Sequence, residues 1–276
     1  MLKKRVIFTL LYDNGSFMLS RNFRLQKVGN LEWLKKNYNF SKLSFSIDEL
    51  VLLDVTRTNK DHQKFLSHVR ALSEVCFIPI AAGGGVRDIE LAHRLVNNGA
   101  DKIVINSLVG KDMDTIDNIV AELGSQCVLA SVDVKKVKND YKVFTENGTV
   151  EQSFTVQEWL QKLAEVPVGE VYLNSIDRDG TGQGYQKELV EFIPDDFQLP
   201  IILSGGAGKY QHFINGLEDK KVDAVATAHL FNFIGNSLED SRTELLNNGF
   251  NLAKWDVDIC ESIKDYFSVS ENNQNE

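Results

Sequence analysis

A closed (β/α)8 barrel is the α/β fold class that this 276-residue chain predicts. Two observations carry it: eight apolar, β-prone runs alternating with stretches of helical length, and one constant offset relating the two halves of the chain. The runs are RVIFTLL, ELVLLDV, FIPIAA, DKIVIN, CVLASVDV, EVYLNSI, LPIILSGG and VDAVATA. Each is continuously apolar rather than alternating, the pattern of strands covered on both faces in a parallel sheet. The first runs from Val6 to Leu11 and breaks into a polar turn at Asp13, Asn14 and Gly15. After the second, TNKDHQKFLSHVRALSEV sets Phe65, Val69 and Leu72 on one helical face. After the third, VRDIELAHRLVNNG repeats the pattern with Ile89, Ala92 and Val96 and stops at Gly99. After the fifth, YKVFTENGTVEQSF reads as an inserted hairpin turning at Asn147 and Gly148.

Pro79 aligns with Pro200, Gly85 with Gly206 and Glu49 with Glu170, each pair 121 residues apart. The chain therefore reads as two four-unit half-barrel repeats with corresponding strands opposite each other, which an open doubly wound sheet accommodates less naturally. The barrel is assigned to residues 1–255, and residues 256–276 to a C-terminal helix and a disordered polar tail.

Hydrophobic content of 43% with 25% charged residues is that of a soluble globular protein, and no apolar run approaches the ~20 residues of a membrane span. MLKKRVIF lacks the cleavage site of a secretory signal, so a cytoplasmic location is expected. Cys76, Cys127 and Cys260 are odd in number and far apart, fitting neither a disulfide framework nor a metal cluster. His62, His68 and His93 fall in helices without metal spacing, and neither a metal nor a cofactor is expected. A net charge of −9 argues against nonspecific nucleic-acid binding but leaves room for a local basic site that holds an anion.

In such a barrel the site lies at the carboxyl ends of the strands. Gly83, Gly84 and Gly85 follow the third strand, and Gly205, Gly206 and Gly208 the seventh, each cluster just before a helix. They either permit tight turns or cradle phosphates; their symmetry points to a ligand with a phosphate at each end, with Asn106 and Ser107 completing one site and Thr227 and His229 the other. Asp54, Asp133, Asp177 and Asp179 also stand at strand ends, where a carboxylate acts in proton transfer or caps a turn; Asp133 projects most directly. At the opposite end Arg5, Glu49, Lys102 and Glu170 begin four strands, two cations and two anions that form either a sealing ring or a gate. Position alone favours the sealing ring.

DELVLLDVT (48–56), IPIAAGGGVRD (78–88), GADKIVIN (99–106), SIDRDGTGQGY (175–185) and LPIILSGGAGK (199–209) resemble the cyclase subunit of imidazole glycerol-phosphate synthase, the HisF family, over residues 1 to about 255. The resemblance implies a TIM barrel paired with a glutaminase (HisH-like) subunit, whose ammonia enters through a charged gate at the bottom and crosses to a phosphorylated substrate at the top. The family's gate matches Arg5, Glu49, Lys102 and Glu170, which reverses the preference for a mere seal, and Asp101 matches a partner-facing aspartate. Its phosphate-binding positions match Gly85, Asn106, Ser107, Gly180 and Gly206, while His229 replaces a serine. Of the family's two catalytic aspartates the second matches Asp133, but the first falls on Leu11, and a lysine of the first loop falls on Leu19. Asp13, two residues past Leu11, and Asp179 remain as further catalytic candidates.

The expectation is an ammonia-transferring barrel that has changed its task. Divergent members similar to this chain accompany separate amidotransferases acting on N-acetyl sugars of bacterial surface polysaccharides such as O-antigen. The alternative is an authentic cyclase of histidine biosynthesis, which converts phosphoribulosyl formimino carboxamide ribotide and ammonia to imidazole glycerol phosphate and aminoimidazole carboxamide ribotide. An isomerase of the related histidine-pathway barrel type is weakened by the same missing aspartate.

Overall fold

The computed structural model describes residues 3–229 and 233–254, apart from the side chains of residues 41 and 42. The eight expected strands are β1 (Arg5–Asp13), β4 (Glu49–Asp54), β5 (Ile80–Gly83), β6 (Lys102–Ile105), β7 (Val128–Val137), β10 (Glu170–Ser175), β11 (Ile201–Ser204) and β12 (Ala224–Thr227). They pair in parallel in that order, and pairing of β12 with β1 closes the barrel. Strands one and five, two and six, three and seven thus stand opposite each other, as the two-repeat reading requires.

Around the barrel lie α1 (Leu31–Asn37), α2 (Phe40–Leu43), α3 (His62–Ser73), α4 (Ile89–Asn97), α5 (Met113–Leu123), α6 (Val156–Ala164), α7 (Tyr210–Leu217) and α8 (Ser237–Asn247). Helix α3 buries Phe65, Val69 and Leu72 together with Leu66, and each such side chain contributes roughly 1.5–3 kcal/mol on leaving water. The buried face of α4 is Leu91, Ala92 and Leu95 rather than the expected Ile89, Ala92 and Val96. Asp88 caps this helix by accepting from Leu91 N at 2.8 Å, so the first turn begins at the rim, and Ile89 and Val96 flank the core partly buried.

Two departures lie in the loops. Strand β1 does not end at Leu11; Tyr12 is also fully buried, and the chain turns at Asn14 and Gly15, both at positive φ, into β2 (Ser16–Arg21) and then β3 (Arg24–Gly29). This antiparallel hairpin begins with Asp13 paired to Ser16. After the fifth barrel strand, β8 (Asp140–Thr145) and β9 (Val150–Thr155) form the expected hairpin with Asn147 and Gly148 in its turn, and β7 extends to pair with β8 as a third strand. The expected C-terminal helix and tail over residues 256–276, and Cys260, lie outside the described residues.

Candidate functional site: a cavity above a charged ring

At the bottom of the barrel, strand alternation turns the first side chains of β1, β4, β6 and β10 inward, and the four meet. Lys102 Nζ lies 2.8 Å from Glu49 Oε2 and 3.1 Å from Glu170 Oε2, while Arg5 pairs with Glu49 at 3.3 Å and also with Glu170. Glu49 and Glu170 are buried. Burial pushes Glu49 up, against the pull of Lys102 and Arg5; burial works against the charge on Lys102 as well, but the two carboxylates overcome it and hold its pKa above the ordinary value. Asp101 is exposed beside this ring and accepts from Ile80 N at 2.8 Å, pinning the start of β5.

Above the ring the bore is apolar: Ile7, Val51, Ala81, Val104, Leu129, Ile202, Ala224 and Ala226 pack into one buried cluster with Tyr172. The Tyr172 hydroxyl ends this layer, 2.8 Å from Thr9 Oγ1 and 2.7 Å from Ser204 Oγ, reaching from β10 to β1 and β11. Burial, with smaller contributions from Asp133 and Asp179, raises it to about 12 despite those hydrogen bonds, so it stays a neutral phenol.

At the carboxyl ends of the strands lies a cavity of about 360 Å³, the size range of small-ligand sites. Asp133 stands on its floor, where its two oxygens accept from Asn174 Nδ2 at 2.9 Å and Asn106 Nδ2 at 3.1 Å. Burial pushes this carboxyl up to about 6; Asp179 adds to the rise, and the two amides oppose it. Leu11 faces the same cavity and is 8% exposed. Asp13 does not line it: strand alternation gives Asp13 the same side as Leu11, but the β1–β2 register places it one step farther out, at the hairpin turn. Asp177 is turned away to accept from Lys136 N at 2.6 Å, whereas Asp54 lines the wall with Lys60 Nζ 3.5 Å from Oδ1 and with Oδ2 buried and unpartnered.

The two glycine clusters stand at opposite ends of this space. Gly84 and Gly85, with Asn106 and Ser107, line the wide cavity; Gly180, Gly205, Gly206, Thr227 and His229 line an adjoining recess of about 20 Å³ that shares Ser20, Asp179, Ser204 and Ala228 with it. Glycine is obligatory at Gly84 without any ligand, because its φ is 109° and a Cβ would collide with the Asp54 carbonyl oxygen. Asp179, 7% exposed, faces both spaces and is held by Ser20 Oγ and by Phe23 N at 3.0 Å, both from the β2–β3 hairpin. Burial raises its pKa, and burial lowers that of His229 across the recess.

The sequence reading missed Arg57, Lys60, Arg87 and Lys111, which all line the wide cavity. Lys60 was within reach of that reading, since it lies in the loop directly after the second strand, where the strand-end rule already directs attention. Its Nζ donates to Asp54 O at 2.6 Å and Gly84 O at 3.2 Å, and burial lowers its pKa against the pull of Asp54. Asn174 and Tyr172 were missed because they sit inside an apolar run. Among the described residues no three His, Cys, Asp or Glu side chains converge as a metal site, and no helix is long and apolar enough to cross a membrane.

Residues 34–235 match the family model described as "Histidine biosynthesis protein". A protein of Parasynechococcus marenigrum provisionally named imidazole glycerol phosphate synthase subunit hisF2 is 44% identical over 92% of this chain and 95% of its own length. The imidazole glycerol phosphate synthase subunits HisF of Prosthecochloris aestuarii and Chlorobaculum tepidum are 35% and 34% identical, covering 90% and 91% of this chain and 98% and 99% of theirs. A match of this extent, on a closed barrel with the ring at one end and the cavity at the other, means that the chain belongs to the HisF family of imidazole glycerol phosphate synthase subunits.

Proposed function

We propose that this barrel receives ammonia from a HisH-like glutaminase at its Arg5–Glu49–Lys102–Glu170 face and passes it along the apolar bore, without itself closing an imidazole ring. One observation carries this reading: Leu11 occupies the cavity wall where the family resemblance places the first catalytic aspartate, while the ring and bore are intact. A leucine side chain neither donates nor accepts a proton, and the loss of a general acid or base lowers rates by roughly 10²–10⁴. Asp13 is not among the residues that line the cavity, which supports this reading. The gate residues, with Asp101 beside them on the same face, form the glutaminase-facing surface, and the ammonia goes to a separate sugar amidotransferase of surface-polysaccharide synthesis in the cytoplasm. The likeness to the divergent branch supports that last step.

The second reading is an authentic cyclase of histidine biosynthesis. Asp133 favours it, because a carboxyl poised near pH 6 and oriented by two amides suits proton transfer. Purified protein supplied with phosphoribulosyl formimino carboxamide ribotide and excess ammonium at alkaline pH separates the two, since free ammonium bypasses glutaminase and bore. Folded protein that leaves the substrate unconsumed supports the first reading; turnover at an ordinary enzymatic rate overturns it and supports the second.

A further inference from the structure

Between the charged ring and the cavity, one side chain crosses the barrel. Within the bore cluster Tyr172 alone carries a polar side-chain atom. It springs from β10, and its hydroxyl meets Thr9 Oγ1 on β1 at 2.8 Å, with β11 and β12 lying between those two strands around the barrel. Its strand partner is Ile202; Ser204, whose Oγ donates to the hydroxyl at 2.7 Å, stands two residues farther on. The phenol therefore rises from bore level to the cavity floor while it spans a chord of the barrel. Ala81, Ala224 and Ala226 belong to the same cluster, and their small side chains leave width for the ring.

The bore beneath Tyr172 is shut. Ile7, Val51, Leu129 and Ile202 are each 0% exposed, so no water-sized space reaches them, and ammonia is about as large as water. The exposure that remains in this cluster is on Val104 and Tyr172, and both line the cavity. None of the four ring residues does. Passage therefore requires a side chain to move. The alanines have nothing to move, and Ile7, Val51 and Ile202 are β-branched and stiff at χ1. Tyr172 is held instead by two hydroxyls, and Thr9 and Ser204 both line the cavity, where a ligand can compete for them.

We infer that Tyr172 is a valve: its phenol, latched to Thr9 and Ser204, closes the top of the bore, and ammonia enters the cavity only when the phenol leaves them. This control point stands at the far end of the bore from the charged ring. The inference deepens the ammonia-transfer reading and rests on it.

Two measurements test it. Crystals of the full chain under xenon pressure read the seal: the parent should hold no xenon between the ring and Tyr172, whereas Tyr172→Ala, which leaves an apolar space, should hold it there. Xenon below Tyr172 in the parent, or none in the variant, would overturn the inference. Transfer of isotope-labelled amide nitrogen from saturating glutamine, by this chain with its glutaminase and amidotransferase partners, reads the latch. Tyr172→Phe keeps the ring but loses both hydrogen bonds, so glutamine-dependent transfer should rise at least threefold while transfer from added ammonium stays within twofold. An unchanged glutamine rate refutes the valve, and so does an equal change with both nitrogen sources, which would mark the hydroxyl as merely structural. Parent protein that carries no glutamine nitrogen at all removes the functional reading instead, and the xenon measurement then decides the seal by itself.

Discussion

Replacing Asp133 by Asn should abolish a pH dependence of stability that the parent protein carries. The structure holds this carboxyl at about 6 rather than its ordinary 3.8, with burial as the main cause. That displacement of ~2 units corresponds to ~3 kcal/mol at 1.4 kcal/mol per unit, and it already includes the opposing hydrogen bonds from Asn174 and Asn106. The unfolded chain releases the proton near pH 4, whereas the folded protein keeps it until about pH 6. Ionisation therefore favours unfolding over that interval, and the contribution is flat below and above it. Urea unfolding of parent and Asp133→Asn at pH 4, 5, 6 and 7 reads the difference directly. The variant should gain on the parent by ~2.4 kcal/mol between pH 4 and pH 7, whatever constant offset the altered hydrogen bonding adds. A difference between the two proteins that stays constant across this range would refute the assignment of Asp133 as a desolvated, proton-holding group.

Leu11→Asp places a carboxylate at an 8%-exposed position of the cavity wall; it should lower stability by ~2–4 kcal/mol and raise ammonium-dependent consumption of the cyclase substrate at least tenfold, read by denaturant melts and substrate loss. Glu170→Ala leaves Arg5 and Lys102 with Glu49 as their shared ring partner. Because both cations keep about a fifth to a quarter of their surface exposed, the cost in unfolding free energy should be ~1–3 kcal/mol, and glutamine-dependent but not ammonium-dependent transfer should fail. Arg242→Ala leaves Asp48 without the guanidinium bound through two contacts of 2.8 and 2.9 Å, and thermal unfolding should report a loss of ~3–5 kcal/mol. Gly84→Ala should cost at least ~2 kcal/mol, seen as a lowered urea midpoint, because the added methyl meets the Asp54 carbonyl at a positive φ.

The barrel was legible because each of its strands is buried on both faces between its ends and is mainly apolar there, so a run such as the LVLL of ELVLLD announces itself. The hairpin after β1 was not, since β2 and β3 are largely polar outside Phe17, Met18 and a few partly buried residues, and only the Asn14–Gly15 turn marked it. That omission concealed how Asp179 is held, because Ser20 and Phe23 reach it from a segment 156 to 159 residues away. Tyr172 was hidden in a different way: its ring satisfies the apolar pattern, and only the closed barrel shows where its hydroxyl goes.

By itself the sequence determined the eight-fold alternation, the repeat, the four charges that begin β1, β4, β6 and β10, and the leucine in place of an acid. The first three are set by local periodicity or by position along a strand, and the last is what the resemblance to the family implies. Only the tertiary structure decided that those charges close into one ring, that Asp133 and not Asp13 lines the cavity, and that the two glycine clusters line adjoining spaces. Electrostatic and steric outcomes of this kind depend on groups brought within a few ångströms by chain segments far apart in sequence, and no local pattern specifies such distances.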